Sequence, residues 1–268
     1  MDNKNGMSEL KQLQWTPELV GRFWDAVARS PLAELNFARM SGAKLLAFVS
    51  DYIKPEKRCL DFGAGDGDLM RLLVERGCRV AGYEPAEERR KKILAQDFAR
   101  SPNFLGLVDD TCKDVFDVLI AADVIEHILD PDLPQVLDRW RRFLTPGGIL
   151  IVTTPNNEDL AANSTYCPVS GLWFHRMQHV RSFTGETLNA LFAPLGFTRL
   201  HDHHVDFSSN AELMRQLRVA TRENRLRRRY GHLYPLIPNR RRKLEGKKKR
   251  DLRVGNESHL IYVGRLSG

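Results

Sequence analysis

No run of eighteen apolar residues occurs in the 268-residue chain, and the opening residues Met1 to Asn5 are polar. Both features argue against a membrane span and against export. Cysteine is scarce: Cys59, Cys78, Cys112 and Cys167 show no paired spacing, and Cys59 falls in what reads as a buried strand. Reduced thiols and a cytoplasmic location are therefore expected. Internal repeats and long Gly/Ser linkers are missing too. A 42% hydrophobic content then suits one α/β core that carries insertions.

Acidic residues are rare in one place only. From Arg215 to Arg253 sixteen Lys/Arg face three acids (Glu223, Glu245, Asp251), a local charge of +13 that leaves −6 on the rest of a chain whose net charge is +7. The basicity thus belongs to a segment and not to the fold.

Along the chain, strands alternate with helices. Thr16-Pro17 suits a helix start, and Leu45, Phe48, Val49, Tyr52 and Ile53 share a helical face, so residues 17–54 read as helices. Strands are expected at 58–62, 79–83, 103–108, 117–122, 149–152, 197–205 and 259–263. Helices are expected at about 69–75, 86–98, 133–143 and 186–193, with a turn at Pro146-Gly147-Gly148. The alternation implies a parallel sheet with right-handed crossovers. Four regions follow: an N-terminal helical cap (1–56), a core (57–206) containing a polar, aromatic acceptor segment (156–185), a basic insertion (207–256), and a final core strand (257–268).

Asp61-Phe62-Gly63-Ala64-Gly65-Asp66-Gly67 lies where a strand gives way to a helix. There glycines admit a ligand to the backbone and a helix N-terminus supplies free N–H groups. A dinucleotide fingerprint needs its third glycine at position 68, which is Asp68. Acids beside the loop disfavour a pyrophosphate but stabilise a ligand carrying a sulfonium and an ammonium group. Glu84, closing the next strand, is placed to accept hydrogen bonds from both ribose hydroxyls.

Asp123-Val124-Ile125-Glu126-His127 follows the fourth strand, at the edge where open α/β sheets bind ligands. Its spacing puts Asp123, Glu126 and His127 on one helical face. There they could hold a divalent cation or let His127 act as a general base, or they could simply cap a helix.

In order, Asp61-x-Gly63-x-Gly65-x-Gly67, Glu84, the run from Asp117 to His127 and Leu144-Thr145-Pro146-Gly147-Gly148 resemble the motifs of class I S-adenosylmethionine-dependent methyltransferases, over roughly residues 57 to 155. The resemblance implies a doubly wound, Rossmann-like seven-stranded sheet, mostly parallel, whose last strand is antiparallel. It implies S-adenosylmethionine as cofactor, held by the loop from Asp61 through Gly63, Ala64, Gly65 and Gly67. Gly63 and Gly65 would line its methionine part, Glu84 its ribose and Asp109 or Asp110 its adenine, with Ala122 beside it.

Asp123 to His127 is also similar to ubiquinone-biosynthesis O-methyltransferases, which carry Glu-x-x-Glu-His, and to small-RNA 2′-O-methyltransferases, which add a later histidine as metal ligand. Here Asp123 replaces the first Glu, and His179 takes a place like the later histidine. Asp123, Glu126, His127 and His179 are then candidate ligands for Mg or Mn, with His127 and His179 as candidate catalytic bases. The expected function is O-methylation of a small, lipid-linked or sugar-linked acceptor. Trp173, Phe174, His175 and His179 are candidates for the acceptor wall. Alternatives are an RNA methyltransferase, a nicotinamide oxidoreductase or a non-catalytic cofactor-binding protein.

Residues 215–253 carry three basic clusters around Leu233-Tyr234-Pro235-Leu236-Ile237-Pro238, which suits an anionic membrane surface or RNA. The full chain is expected to float with anionic liposomes or to retard RNA in a gel. Binding neither would return the segment to a solvated surface.

Overall fold

A computed structural model of the chain describes residues 11–208 and 251–268. Nearly all of the basic segment, including its three clusters, lies outside the described residues. The chain order is β1 (Lys11–Gln12), α1 (Pro17–Ala28), α2 (Phe37–Phe48), β2 (Arg58–Phe62), α3 (Asp68–Glu75), β3 (Arg79–Tyr83), α4 (Glu87–Ala95) and β4 (Phe104–Val108). There follow β5 (Phe116–Ala122), α5 (Leu133–Arg142), β6 (Leu144–Pro155), β7 (Ser164–Cys167), β8 (Leu172–His175), α6 (Gly185–Phe192), β9 (Phe197–Val205) and β10 (His259–Leu266).

Seven strands form one sheet in the order β4-β3-β2-β5-β6-β10-β9. β2 through β6 run parallel, and β10 lies antiparallel between β6 and β9, so the expected doubly wound sheet with an antiparallel last strand is what the chain forms. Successive residues of each central strand enter opposite cores. Val118, Ile120, Ile149 and Ile151 pack against α2, α3 and the Ile93 face of α4. Leu119, Ala121, Leu150 and Val152 pack against Trp140 of α5 and Phe192 of α6. Burial on both faces explains why Ile149 to Val152 is uniformly apolar.

The N-terminal helices begin at identifiable caps. Thr16 Oγ1 accepts from the Leu19 N–H, and Pro17 occupies the first turn, where its missing N–H costs nothing. Asn36 Oδ1 accepts from the Ala38 N–H to start α2. α2 ends at Phe48, and Val49 and Ile53 are buried from the turns that follow it. No described helix is long and apolar enough to cross a membrane.

Two local expectations fail. The Pro146-Gly147-Gly148 turn is a bulge within β6, which begins at Leu144: the ladder pairs Phe116 with Leu144 and then Val118 with Ile149, and Gly147 takes φ +78°. The segment after Pro155 is not irregular throughout, because β7 and β8 form a hairpin whose β8 edge pairs in parallel with β1. This small sheet ties the N-terminal cap to the acceptor segment.

The parallel strands present their carboxyl ends on one edge, and His259 joins them because it pairs with Pro155 at the start of antiparallel β10. Functional groups from distant parts of the chain therefore meet there.

Candidate active site

A cavity of about 1630 Å³ opens along that edge. It exceeds the volume of an ordinary small-ligand pocket, roughly 300–1,000 Å³, so one nucleoside ligand and a second small molecule fit together. Asp61, Gly63, Ala64, Glu84 and Ala122 line one end, and His127, Glu158, His175 and His179 line the other.

At the first end the loop after β2 folds back on β3. The Gly63 and Ala64 N–H groups donate to the Tyr83 carbonyl at 2.8 and 3.0 Å. Glu84 takes the Gly65 N–H on Oε2 and the Ala86 N–H on Oε1, both at 2.8 Å. Each carboxylate oxygen keeps a lone pair for a further donor. Gly63 (φ +79°) leaves no room for a side chain, since a Cβ would stand 2.6 Å from Val124 Cγ2.

Asp61 is 2% exposed, and its Oδ2 has no partner. Burial, aided by repulsion from Glu84 and Asp68, pushes it up to about 8. A buried acid held neutral beside a ligand cavity is a place for a cation. Arg89, which no sequence motif singles out, lines the same end with its guanidinium 5.1 Å from the Trp24 ring centre.

Three residues expected here lie elsewhere. Gly65 is outside the cavity wall: it takes φ +58°, and a Cβ there would meet Asn36 Nδ2 at 2.9 Å. Gly67 is not in the cavity wall: it starts α3 with φ +86°, and a Cβ there would meet Phe98 Cζ at 3.0 Å. Asp109 is exposed and closes its own turn, its Oδ1 accepting from the Thr111 N–H and hydroxyl at 2.9 and 2.7 Å. Asp110 accepts from the Tyr83 hydroxyl and from Arg139, both at 2.8 Å, so Tyr83 and Arg139, not either acid, form the wall.

At the second end, Asp123, Glu126 and His127 do not share a helical face. Asp123 has φ +51°, and only Ile125–His127 makes a single 3₁₀ turn. Asp123 therefore leaves the metal set expected for it. It accepts from the Thr153 hydroxyl at 2.6 Å and faces His259 Nε2 at 3.4 Å. Burial disfavours the charged His259 ring, but Asp123 and other nearby acids prevail and hold its pKa above the ordinary value. No motif pointed to His259, because its place follows from strand register alone.

Glu126, His127 and His179 do come together, each with a ligand atom within 4.8 Å of the others. Glu126 is 1% exposed, and neither carboxylate oxygen makes a hydrogen bond of ordinary geometry, although the Thr154 hydroxyl lies beside it. Burial, with Asp123 nearby, holds its pKa well above the carboxylate range. His127 Nδ1 also lacks a partner, and burial followed by repulsion from His179 pushes the ring down to about 3.

Glu158, missed by sequence reasoning because it sits alone after β6, bonds both His175 and His179. Burial pushes it up, but those two bonds prevail and hold it at about 2. Trp173 and Phe174 stand outside the cavity. Trp173 pairs with Gln12 and Tyr166, and Phe174 packs edge-on against Trp15. Aromatic rings that do line the cavity include Trp24, 4.8 Å from the His127 ring, and Phe37, stacked on His259 at 5.5 Å.

Residues 33–202, more than half of the chain, match the family described as Methyltransferase domain. The chain is similar to the ubiquinone biosynthesis O-methyltransferase of Idiomarina loihiensis, 29% identical over 52% of this chain and 57% of that protein. It is 28% identical to the mitochondrial ubiquinone biosynthesis O-methyltransferase of Homo sapiens over 53% of this chain and 42% of the human one. It thus spans about half the length of these curated relatives. The Burkholderia thailandensis 1,6-didemethyltoxoflavin-N1-methyltransferase, solved with 1,6-didemethyltoxoflavin and S-adenosylhomocysteine, has TM-score 0.57 at 16% identity over 97% of this chain and 94% of that one, a likeness of fold.

Asp61 keeps its proton to about pH 8 in the native state and releases it near the ordinary aspartate value of 3.8 when unfolded. Native protein therefore binds the extra proton between those values and loses stability as pH rises through them. Asp61→Asn removes this exchange. Its stability relative to the parent should climb over that window, by at most about 6 kcal/mol, and level off above about pH 8. A urea-midpoint difference that stays constant from about pH 5 to about pH 9 would contradict the assignment.

Proposed function

The chain belongs to the methyltransferase-domain family, and on that premise we propose that it is an S-adenosylmethionine-dependent O-methyltransferase acting on a small hydroxyl compound. One observation carries the reading: the partnerless, proton-holding Asp61 and the Glu84 cradle open into the same cavity as a histidine pair. Asp61 suits the cationic methionine part of the cofactor, the loop at Gly63 suits close approach of its backbone-side edge, and Glu84 suits the ribose hydroxyls. When bound, the cofactor supplies an electrophilic methyl group.

The rest falls to side chains. A hydroxyl acceptor must be held in line with the methyl group and lose its proton. His127, pushed down to about 3, is a weak base, so that task is assigned to His179. Trp24 and Phe37 supply apolar surface to the cavity against which such an acceptor can pack, and a small hydroxyl acceptor agrees with the relatives' name, ubiquinone biosynthesis O-methyltransferase. S-adenosylhomocysteine should bind the parent in calorimetry, and Glu84→Ala should weaken it about 10- to 100-fold through the loss of charge-assisted ribose bonds. Labelled methyl donor should pass label to phenolic acceptors. A parent that ignores S-adenosylhomocysteine, or a Glu84→Ala protein that binds it equally well, defeats the reading.

A second reading, in place of His179 as base, rests on Glu126, whose buried carboxylate fits a divalent cation. Glu126, His127 and His179 would hold it, and it would supply a Lewis acid to lower the acceptor hydroxyl's pKa. Chelation with EDTA should then cut turnover, with recovery on adding Mg²⁺ or Mn²⁺. Undiminished turnover in chelator eliminates the cation.

A further inference from the structure

Among the described residues, Glu158, His175 and His179 form a hydrogen-bonded group whose donors and acceptors can be assigned from the geometry. His175 is 4% exposed, and its Nδ1 accepts two backbone N–H groups, from Met177 at 3.2 Å and His179 at 3.1 Å. A nitrogen that accepts in this way carries no proton, so the His175 proton is on Nε2. That Nε2–H donates to Glu158 Oε1 at 3.1 Å. Oε1 also receives the Asn163 amide at 3.0 Å, leaving Oε2 for His179 Nδ1.

A carboxylate oxygen can only accept, so His179 carries a proton on Nδ1, and its neutral ring keeps the lone pair on Nε2. The backbone fixes where that ring stands. The Val180 N–H donates to the Glu126 carbonyl at 2.9 Å, and the buried Gln178 side chain joins the His127 carbonyl at 3.0 Å to the Trp24 indole N–H at 2.9 Å.

We propose that Glu158 is a positioning residue: it selects the Nδ1–H tautomer of His179 and so presents a bare Nε2 at the acceptor end of the cavity, while His175 and Asn163 hold Glu158 in place. The same arrangement of carboxylate, imidazole and free nitrogen prepares a histidine to take a proton or to ligate a metal, so the role holds in either case. Its kinetic consequence rests on the methyl-transfer reading; the tautomer does not.

Glu158→Gln separates the two. An amide has one accepting oxygen, and Oε1 already serves two donors, so the glutamine NH₂ must face His179 and force it to accept at Nδ1. The proton then moves to Nε2. Long-range ¹H–¹⁵N correlation of the histidine rings in the full chain should show Nδ1–H for His179 in the parent and Nε2–H in Glu158→Gln. Turnover should fall about 10²- to 10⁴-fold, while the KM for S-adenosylmethionine stays put, because Asp61 and Glu84 are untouched.

A parent His179 protonated at Nε2 overturns the proposal without any variant. So does a tautomer that Glu158→Gln leaves unchanged, even if turnover falls, since that would be a merely structural loss. A parent showing the expected tautomers but no methyl transfer supports the assignment and counts against the methyl-transfer reading.

Discussion

The site depends on a carboxylate that bridges two backbone N–H groups. Glu84, at the tip of β3, binds Gly65 on one side and Ala86 on the other, locking the glycine loop to the start of the next crossover. With the bonds from Gly63 and Ala64 to the Tyr83 carbonyl, it turns a flexible run into a rigid cradle. Glycine at 63 is required because the chain passes under Val124 with positive φ, where a β-carbon would collide. The same closeness buries Asp61 among other acids, which pushes its carboxyl group up to about 8.

The opposite end follows a different electrostatic plan. Three acids and four histidines crowd there, yet each acid has a distinct setting. Asp123 faces His259, Glu158 serves His175 and His179, and Glu126 lies buried without an ordinary hydrogen bond. Leaving one carboxylate unsatisfied is costly in a folded protein, and such groups concentrate where a ligand completes them. The division also separates the settings of the histidines: His127 is desolvated, His175 braces a backbone turn, and His179 bonds Glu158 through Nδ1.

Sequence reasoning succeeded where a residue's role is local. The glycines, Glu84 and the apolar runs of the central strands sit within a few positions of the turns and ladders they build, so spacing located the parallel strands and the glycine loop. It failed where conformation departs from a regular period. Positive φ at Asp123 broke the assumed helical face, a bulge absorbed Pro146 to Gly148, and an own-turn hydrogen bond withdrew Asp109 from the cavity. The aromatic run at Trp173 and Phe174 had the right composition for a wall but was claimed by the β8 ladder and by Trp15.

By itself, then, the amino-acid order determined the parallel strands, the glycine loop and the acid that follows β3, because each of these is encoded by neighbours in the chain. Tertiary structure alone decided the acceptor end. Trp24, Glu158, His179 and His259 come from four separate elements, and which of them meet depends on strand register and on the hairpin that anchors β1. No periodicity records a neighbourhood across 80 or 130 residues; only the closed sheet gathers those groups around one cavity.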